Sequence, residues 1–289
     1  MIVSKSKNGR LCNILIRDLI LFIIGEINKH NIQFEFNIGS SHEKSEKCIN
    51  FMKEIGLYNL FKKREKSNLH IINSERGISE KQLLHCLNKS FKLCENTKYI
   101  FNKGYLQSNN FIIHLTKYLI SKNNRLMIEI INNNKFKNRY NKNNDLFIHI
   151  RNGDIFNDSN TILTPNFNYY KKVLELNKYD NIYLTLANKI FKNENDKIEF
   201  ENLIKKFNIK IFEDNEANTI LFGSTCKYVC LSSGTFSLII GLFGFHSKYI
   251  YYSKNAGKIL YIDNKLGGWH HDFYLTLKNI NKRFIEINL

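Results

Sequence analysis

Leu146-Phe147-Ile148-His149-Ile150-Arg151-Asn152-Gly153-Asp154 decides the reading of this chain: an apolar run that ends by releasing Arg and Asp into a Gly-containing turn. A short run of aliphatic and aromatic residues bounded by turn residues predicts a buried strand over Leu146 to Arg151. Open α/β sheets bind ligands in the crevice beyond their C-terminal strand ends, and a planar guanidinium grips phosphate through two parallel hydrogen bonds. Arg151 is therefore the first candidate for an anion contact, with His149 behind it. The alternative is a surface turn in which Arg151 and Asp154 merely pair with each other.

Working outward, the C-terminal side alternates cleanly. Asn166 to Leu176 reads as a helix, Ile182 to Ala187 as a strand, Asp196 to Phe207 as a helix and Ile209 to Phe212 as a strand. Glu216 to Cys226 (helix), Tyr228 to Leu231 (strand), Thr235 to Leu242 (helix) and Lys248 to Tyr252 (strand) continue the series. Short β-rich runs separated by helices call for parallel βαβ units. The last amphipathic stretch, Phe273 to Ile287, is expected as a closing helix.

The N-terminal side is less regular. Leu11 to Lys29 predicts a largely buried helix in which Asn13 and Arg17, four residues apart, share one polar stripe. Ile32 to Phe36 reads as a strand, Cys48 to Phe61 as a helix, Leu69 to Asn73 as a strand, Glu80 to Leu93 as a helix and Phe111 to Asn132 as one or two helices. His42 to Lys47 and Lys62 to Ser67 read as charged loops. The polar segment Asn132 to Asn144 separates the halves, giving an expected division into 1–140, 141–265 and a closing segment 266–289.

Composition bounds the class. At 289 residues, 43% of them hydrophobic, the chain has enough apolar side chain for one large core or two mid-sized ones. Its 43 Lys and Arg against 26 Asp and Glu give +17, which favours polyanions, nucleotides and peripheral association with acidic membranes. The basic residues are spread along the chain, without zinc-finger spacing or an aromatic RNA-binding motif, so no dedicated nucleic-acid partner is expected. Six cysteines among apolar neighbours, without CxxC spacing, read as buried reduced thiols. The start Met1-Ile2-Val3-Ser4-Lys5 reads as entering the fold without a leader, and Leu19 to Ile24 is too short to span a bilayer. The cytoplasm is the expected compartment.

A second loaded segment, Leu231-Ser232-Ser233-Gly234-Thr235-Phe236-Ser237, lies between a strand and a helix. Hydroxyls and bare amide N–H groups at a helix start hold phosphate through the dipole and the unpaired donors. Ser and Thr are also ordinary N-caps. A cation on one strand end and hydroxyls on another, both in one parallel sheet, together describe a nucleotide-diphosphate pocket.

Three segments, Gly9-Arg10-Leu11-Cys12-Asn13, His149-Ile150-Arg151-Asn152-Gly153-Asp154, and Cys226-Lys227-Tyr228 leading into Ser232 to Ser237, resemble in order and spacing the landmarks of glycosyltransferase family 11, the α-1,2-fucosyltransferases. Tyr169-Tyr170-Lys171-Lys172 adds to the resemblance, which spans nearly the whole chain. It implies an α/β protein of GT-B type, two Rossmann-like domains facing across a cleft, with the sugar nucleotide held by the C-terminal one. The resemblance implies Arg151 as the catalytic cation on the leaving diphosphate. It also implies donor contacts from His149, Asn152, Asp214, Ser232, Ser233, Thr235, Phe236 and Ser237, with Gly9 and Asn13 approaching from the other domain. The implied reaction is inverting transfer of fucose from GDP-fucose to a hydroxyl of a glycan acceptor, with Asp154 and Glu75 the carboxylates to test as base and Asp154 also suited to bracing the turn. No metal and no cofactor are expected, since the chain has no Asp-x-Asp motif and Arg and amide donors suffice for the diphosphate.

The chain departs from the family at Asn152, where a second arginine is usual, at the Gly9 turn, and after Phe236-Ser237, where Leu238 to Gly241 replace a tryptophan pair. These departures bear on the sugar and on the acceptor hydroxyl. The alternatives are a transferase using another nucleotide sugar and a polyanion- or nucleic-acid-binding protein on a degenerate transferase fold. In Gly267-Gly268-Trp269-His270-His271-Asp272 the adjacent histidines diverge too much to share a metal. There Asp272 is expected to cap the last helix, and Trp269 to pack or to stack on an acceptor.

Overall fold

The computed structural model describes residues 1–4, 10–34, 45–65, 74–94, 97–101, 106–121, 124–151, 165, 167–186, 194–254, 259–260, 266–267 and 271–288. Gly9, the strand expected at 69–73, Asn152, Asp154, Trp269 and the side chain of Asp272 lie outside the described residues. Two compact units divide the chain, Met1–Asn134 and Lys135–Leu289.

The first unit runs β1 (Ile2–Ser4), α1 (Leu11–Asn28), β2 (Ile32–Phe34), α2 (Ser45–Glu54), α3 (Tyr58–Glu65), β3 (Ser74–Gly77), α4 (Glu80–Leu87), β4 (Thr97–Phe101), α5 (Asn109–Ile120) and α6 (Arg125–Asn133). Its strands form one parallel sheet in the order β2-β1-β4-β3. Helix α1 is apolar nearly all round, so it is buried rather than amphipathic; all but Asn13 are buried from Leu11 to Gly25. Even Arg17 and Asp18 are inside, where the Arg17 Nε–H donates to Asp18 at 2.9 Å and the Ser4 hydroxyl donates to the same carboxylate at 3.2 Å.

Several expectations are corrected here. The helix expected over Cys48 to Phe61 is two helices, because Gly56 takes φ 85° and ends α2. Leu57 N–H donates back to Met52 O and Gly56 N–H to Lys53 O, each at 3.0 Å, the left-handed glycine termination. The neighbouring charged stretches are partly helical, since α2 begins at Ser45 and α3 continues to Glu65. Helix α4 stops at Leu87, short of Leu93, where Lys89 turns left-handed at φ 57°. Strand β4 is an element the sequence reading lacks; its residues alternate buried and half-buried between β1 and β3.

The second unit opens with a 3₁₀ turn (Lys137–Arg139) and continues with β5 (Leu146–Ile150), α7 (Phe167–Leu176), β6 (Ile182–Leu186), α8 (Glu194–Phe207), β7 (Lys210–Ile211) and α9 (Glu216–Gly223). Then come β8 (Tyr228–Cys230), α10 (Gly234–Phe243), β9 (Tyr249–Ser253), the antiparallel pair β10 (Ile259–Leu260) and β11 (Leu266–Gly267), α11 (His271–Ile280) and β12 (Phe284–Ile287). The main sheet is wholly parallel, in the order β12-β9-β8-β5-β6-β7. The closing helix expected over Phe273 to Ile287 ends at Ile280. Asn281-Lys282-Arg283 turn the chain, and Phe284-Ile285-Glu286-Ile287 alternate as the edge strand beside β9.

An α/β architecture with two parallel sheets is thus present. From β5 the chain winds outward through β6 and β7, then returns to the other side of β5 through β8 and β9. The winding reverses between β5 and β8, the place where doubly wound sheets open a ligand crevice. Strand β5 is buried along its whole length, as a central parallel strand must be. None of the six cysteines is in a disulfide and five are buried; Cys94 is exposed, against the expectation of six buried thiols. Among the described residues no helix is long and apolar enough to cross a membrane.

Candidate functional site

The crevice position falls on the two segments that carried charge and hydroxyls in the sequence. Strands β5 and β8 pair in parallel with Ile148 opposite Cys230, and continuing that register sets Arg151 against Ser233. The side chains follow suit. Gly234 begins α10 at φ 93°, and a Cβ built there would strike the Arg151 Nη1 and lie 3.2 Å from its Cζ. Only a glycine leaves room for the guanidinium to lie against the start of that helix.

Ser233 occupies the N-cap position of α10, yet its hydroxyl makes no cap hydrogen bond. It is fully buried and has no hydrogen-bond partner among the described residues. The capping role that the sequence allowed for Ser233 is therefore not what its side chain does. A buried hydroxyl without a partner costs on the order of 1–3 kcal/mol, and together with the first amide N–H groups of α10, which have no intrahelical acceptor, it forms a donor set beside a cation. That set suits an anion.

Behind this edge the polar groups are tied down. Ser237 Oγ accepts the Ser232 N–H at 3.0 Å and is hydrogen-bonded to His149 Nδ1. The Phe236 ring lies over the His149 imidazole, with centroids 5.0 Å apart. Burial, aided by the Arg151 charge, pushes the His149 pKa down from 6.5 to about 3, so His149 is neutral at physiological pH. Since the unfolded state binds this proton first, folding stability should be lost as pH falls from about 6.5 towards 3, by up to about 1.4 kcal/mol per pH unit. Thermal melts of the wild type and His149→Gln across that range check this, and equal slopes in the two proteins would remove His149 as the cause.

Asp214 stands in the same unit, just after β7. Its Oδ1 accepts the Asn215 N–H and the Asn218 side-chain amide, each at 2.8 Å, and Lys135 Nζ lies 3.5 Å from Oδ2. Burial opposes its charge, but the Asn218 and Asn215 hydrogen bonds and the Lys135 charge outweigh that and hold the carboxyl below its ordinary range. Thr235 and Phe236 are half-buried on the first turn of α10.

In the first unit Asn13 sits on the opening turn of α1, and its Oδ1 accepts from Gln107 Nε2 at 3.0 Å. Gln107 follows β4, so this amide pair lies where the winding of the four-stranded sheet reverses between β1 and β4. Leu106, beside it, is buried with φ 51°, a strained conformation for a branched side chain. Sequence reasoning missed Gln107, because nothing local marks it before β4 is known to neighbour β1. Glu75 is exposed on β3 and accepts from Lys98 of β4 at 3.1 Å. Among the described residues no cluster of three or more His, Cys, Asp or Glu is arranged to hold a metal ion.

No protein-family model matches the chain, and no curated protein matches it. Among solved structures, one similar chain is the E. coli heptosyltransferase WaaC with ADP-2-deoxy-2-fluoro heptose, at 9% identity and a TM-score of 0.43, covering 98% of this chain and 99% of that one. At that identity and score, no residue role passes from that protein to this one.

Proposed function

We propose that this chain is an inverting glycosyltransferase that takes a sugar from a nucleoside-diphosphate donor, GDP-fucose in the fullest form of the reading, and transfers it to a hydroxyl of a glycan acceptor. One observation carries the proposal. Arg151 lies against the start of α10, whose N-cap Ser233 hydroxyl is buried with no partner among the described residues, at the point where the winding of the sheet reverses.

In this reading the acceptor hydroxyl attacks the anomeric carbon, the bond from that carbon to the diphosphate oxygen breaks, and GDP departs with the electron pair. Arg151, the Ser233 hydroxyl and the amide N–H groups of Gly234 and Thr235 stabilise the charge that builds on the diphosphate. His149 and Phe236 line the same edge, and Asp214 is the carboxylate offered to the guanine edge. The proton of the acceptor goes to a carboxylate, for which Asp154 remains the proposal; Glu75 is the weaker choice because Lys98 already occupies it. The resemblance to family 11 supports fucose and GDP, while Asn152 in place of a second arginine weakens that part.

A thermal-shift screen tests the reading. GDP should raise the melting temperature, GDP-fucose should raise it further, guanosine should raise it less than GDP does, and EDTA should leave the shifts unchanged. At one hundred times its Kd, a ligand adds about 2.7 kcal/mol of stability. Indifference to every nucleotide and nucleotide sugar, with salt-sensitive DNA binding instead, would sink the proposal in favour of a polyanion-binding protein.

A further inference from the structure

Ser232 has every polar group engaged. Its N–H donates to Ser237 Oγ at 3.0 Å, its Oγ accepts from the Tyr170 hydroxyl at 3.3 Å, and its carbonyl accepts from the Tyr274 hydroxyl at 3.1 Å. One residue earlier, the Leu231 carbonyl accepts from the Tyr169 hydroxyl at 2.9 Å. One residue later, the Ser233 hydroxyl has no partner among the described residues, and Gly234 lies against Arg151. Satisfaction stops abruptly at Ser233.

The tyrosines come from two elements far apart in sequence, α7 for Tyr169 and Tyr170 and α11 for Tyr274. All three are buried, with Tyr274 at 1% exposure. Burial raises the pKa values of their phenols, so the hydroxyls stay protonated and donate, although the Arg151 charge pulls that of Tyr274 partly back down. Arg151 is therefore close enough to Tyr274 for its field to be felt there.

The peptide unit is planar, so a hydrogen bond on the Ser232 carbonyl also fixes the direction of the Ser233 N–H and the placement of the Ser233 Cα. We infer that Tyr274 is a positioning residue for diphosphate recognition: by holding the Ser232 carbonyl it aims the Ser233 hydroxyl and the start of α10 at the anion that Arg151 meets. Tyr170 assists through the Ser232 side chain, which is a less direct hold. This inference rests on the proposed diphosphate site. It adds that the C-terminal helix, through Tyr274, sets the geometry of that site.

Tyr274→Phe removes one hydroxyl and keeps the ring that stacks on Tyr252, with centroids 5.1 Å apart. Calorimetric titration should show GDP and inorganic pyrophosphate each binding about tenfold more weakly to this variant, with guanosine binding unchanged. Tyr252→Phe is the matched control: its hydroxyl donates to Glu286 at 3.4 Å and not to the turn, so GDP affinity should stay at the wild-type value. Should Tyr274→Phe fail to fold, Tyr170→Phe reads the same effect at about threefold. Wild-type affinity for GDP and pyrophosphate in the Tyr274 variant, or in Tyr170→Phe where only that variant folds, overturns the inference and leaves the diphosphate site standing. Loss of guanosine and GDP binding in equal proportion also overturns it, by showing general loosening. A wild-type chain that binds neither GDP nor pyrophosphate overturns both readings together.

Discussion

Arg151→Ala should lower sugar transfer by about 10²–10³-fold, the usual effect of removing one donor that meets charge in a transition state, while the protein still melts within a few degrees of the wild type. The two halves of this expectation have separate causes. Arg151 is only half-buried at the end of β5, and substitutions at such positions typically change stability by about 0.5 kcal/mol or less. The ligand would lose the cation set against the start of α10. Arg151→Lys should fall between the two, because an ammonium keeps the charge but not the flat fork that grips two oxygens at once. A secondary effect follows from His149, whose protonation the Arg151 charge opposes; in Arg151→Ala the loss of stability should still begin near pH 6.5 but level off at a higher pH than in the wild type, so less stability is lost to acid. Initial rates with GDP-fucose and a glycan acceptor, together with the melts, decide the matter. A fully active Arg151→Ala enzyme would remove Arg151 from the mechanism.

The C-terminal unit was readable in the sequence because parallel βαβ units write themselves locally. The central strands are short apolar runs, the helices between them amphipathic or largely apolar, and Pro165 and Gly234 fall at boundaries rather than inside elements. Arg151 and Ser232 to Ser237 were legible for the same reason, since strand ends are visible. Their sharing of one pocket was expected, but the direct pairing of β5 with β8 that brings Arg151 to Gly234 is a fact of sheet order and was not legible.

The first unit hides its organisation. Thr97-Lys98-Tyr99-Ile100-Phe101 becomes a strand only because β1 and β3 flank it, and cross-strand neighbours outweigh intrinsic preference in such half-buried strands. The signal that should have divided Cys48 to Phe61 was Gly56, which can take the left-handed turn at little cost. Tyr169-Tyr170 stands out in the sequence only as part of a resemblance, and its convergence with Tyr274 under Ser232 was not legible, because the two helices lie far apart in sequence.

Gly234→Ala should damage both stability and ligand binding, for two independent reasons. At φ 93° a Cβ strains the backbone by about 1–3 kcal/mol, and the same atom would strike the Arg151 Nη1. The guanidinium must then swing away from the start of α10, so GDP affinity should fall by about as much as in Arg151→Ala while stability falls as well. The two costs separate in the double variant. With Ala at 151 the collision is gone but the backbone strain remains, so Gly234→Ala should cost less stability in that background than in the wild type. Contacting residues commonly show coupling of about 0.5–3 kcal/mol. Urea denaturation of the four proteins measures it directly. Strict additivity would mean that Arg151 does not lie against Gly234, and the anion site built from the ends of β5 and β8 would lose its cation.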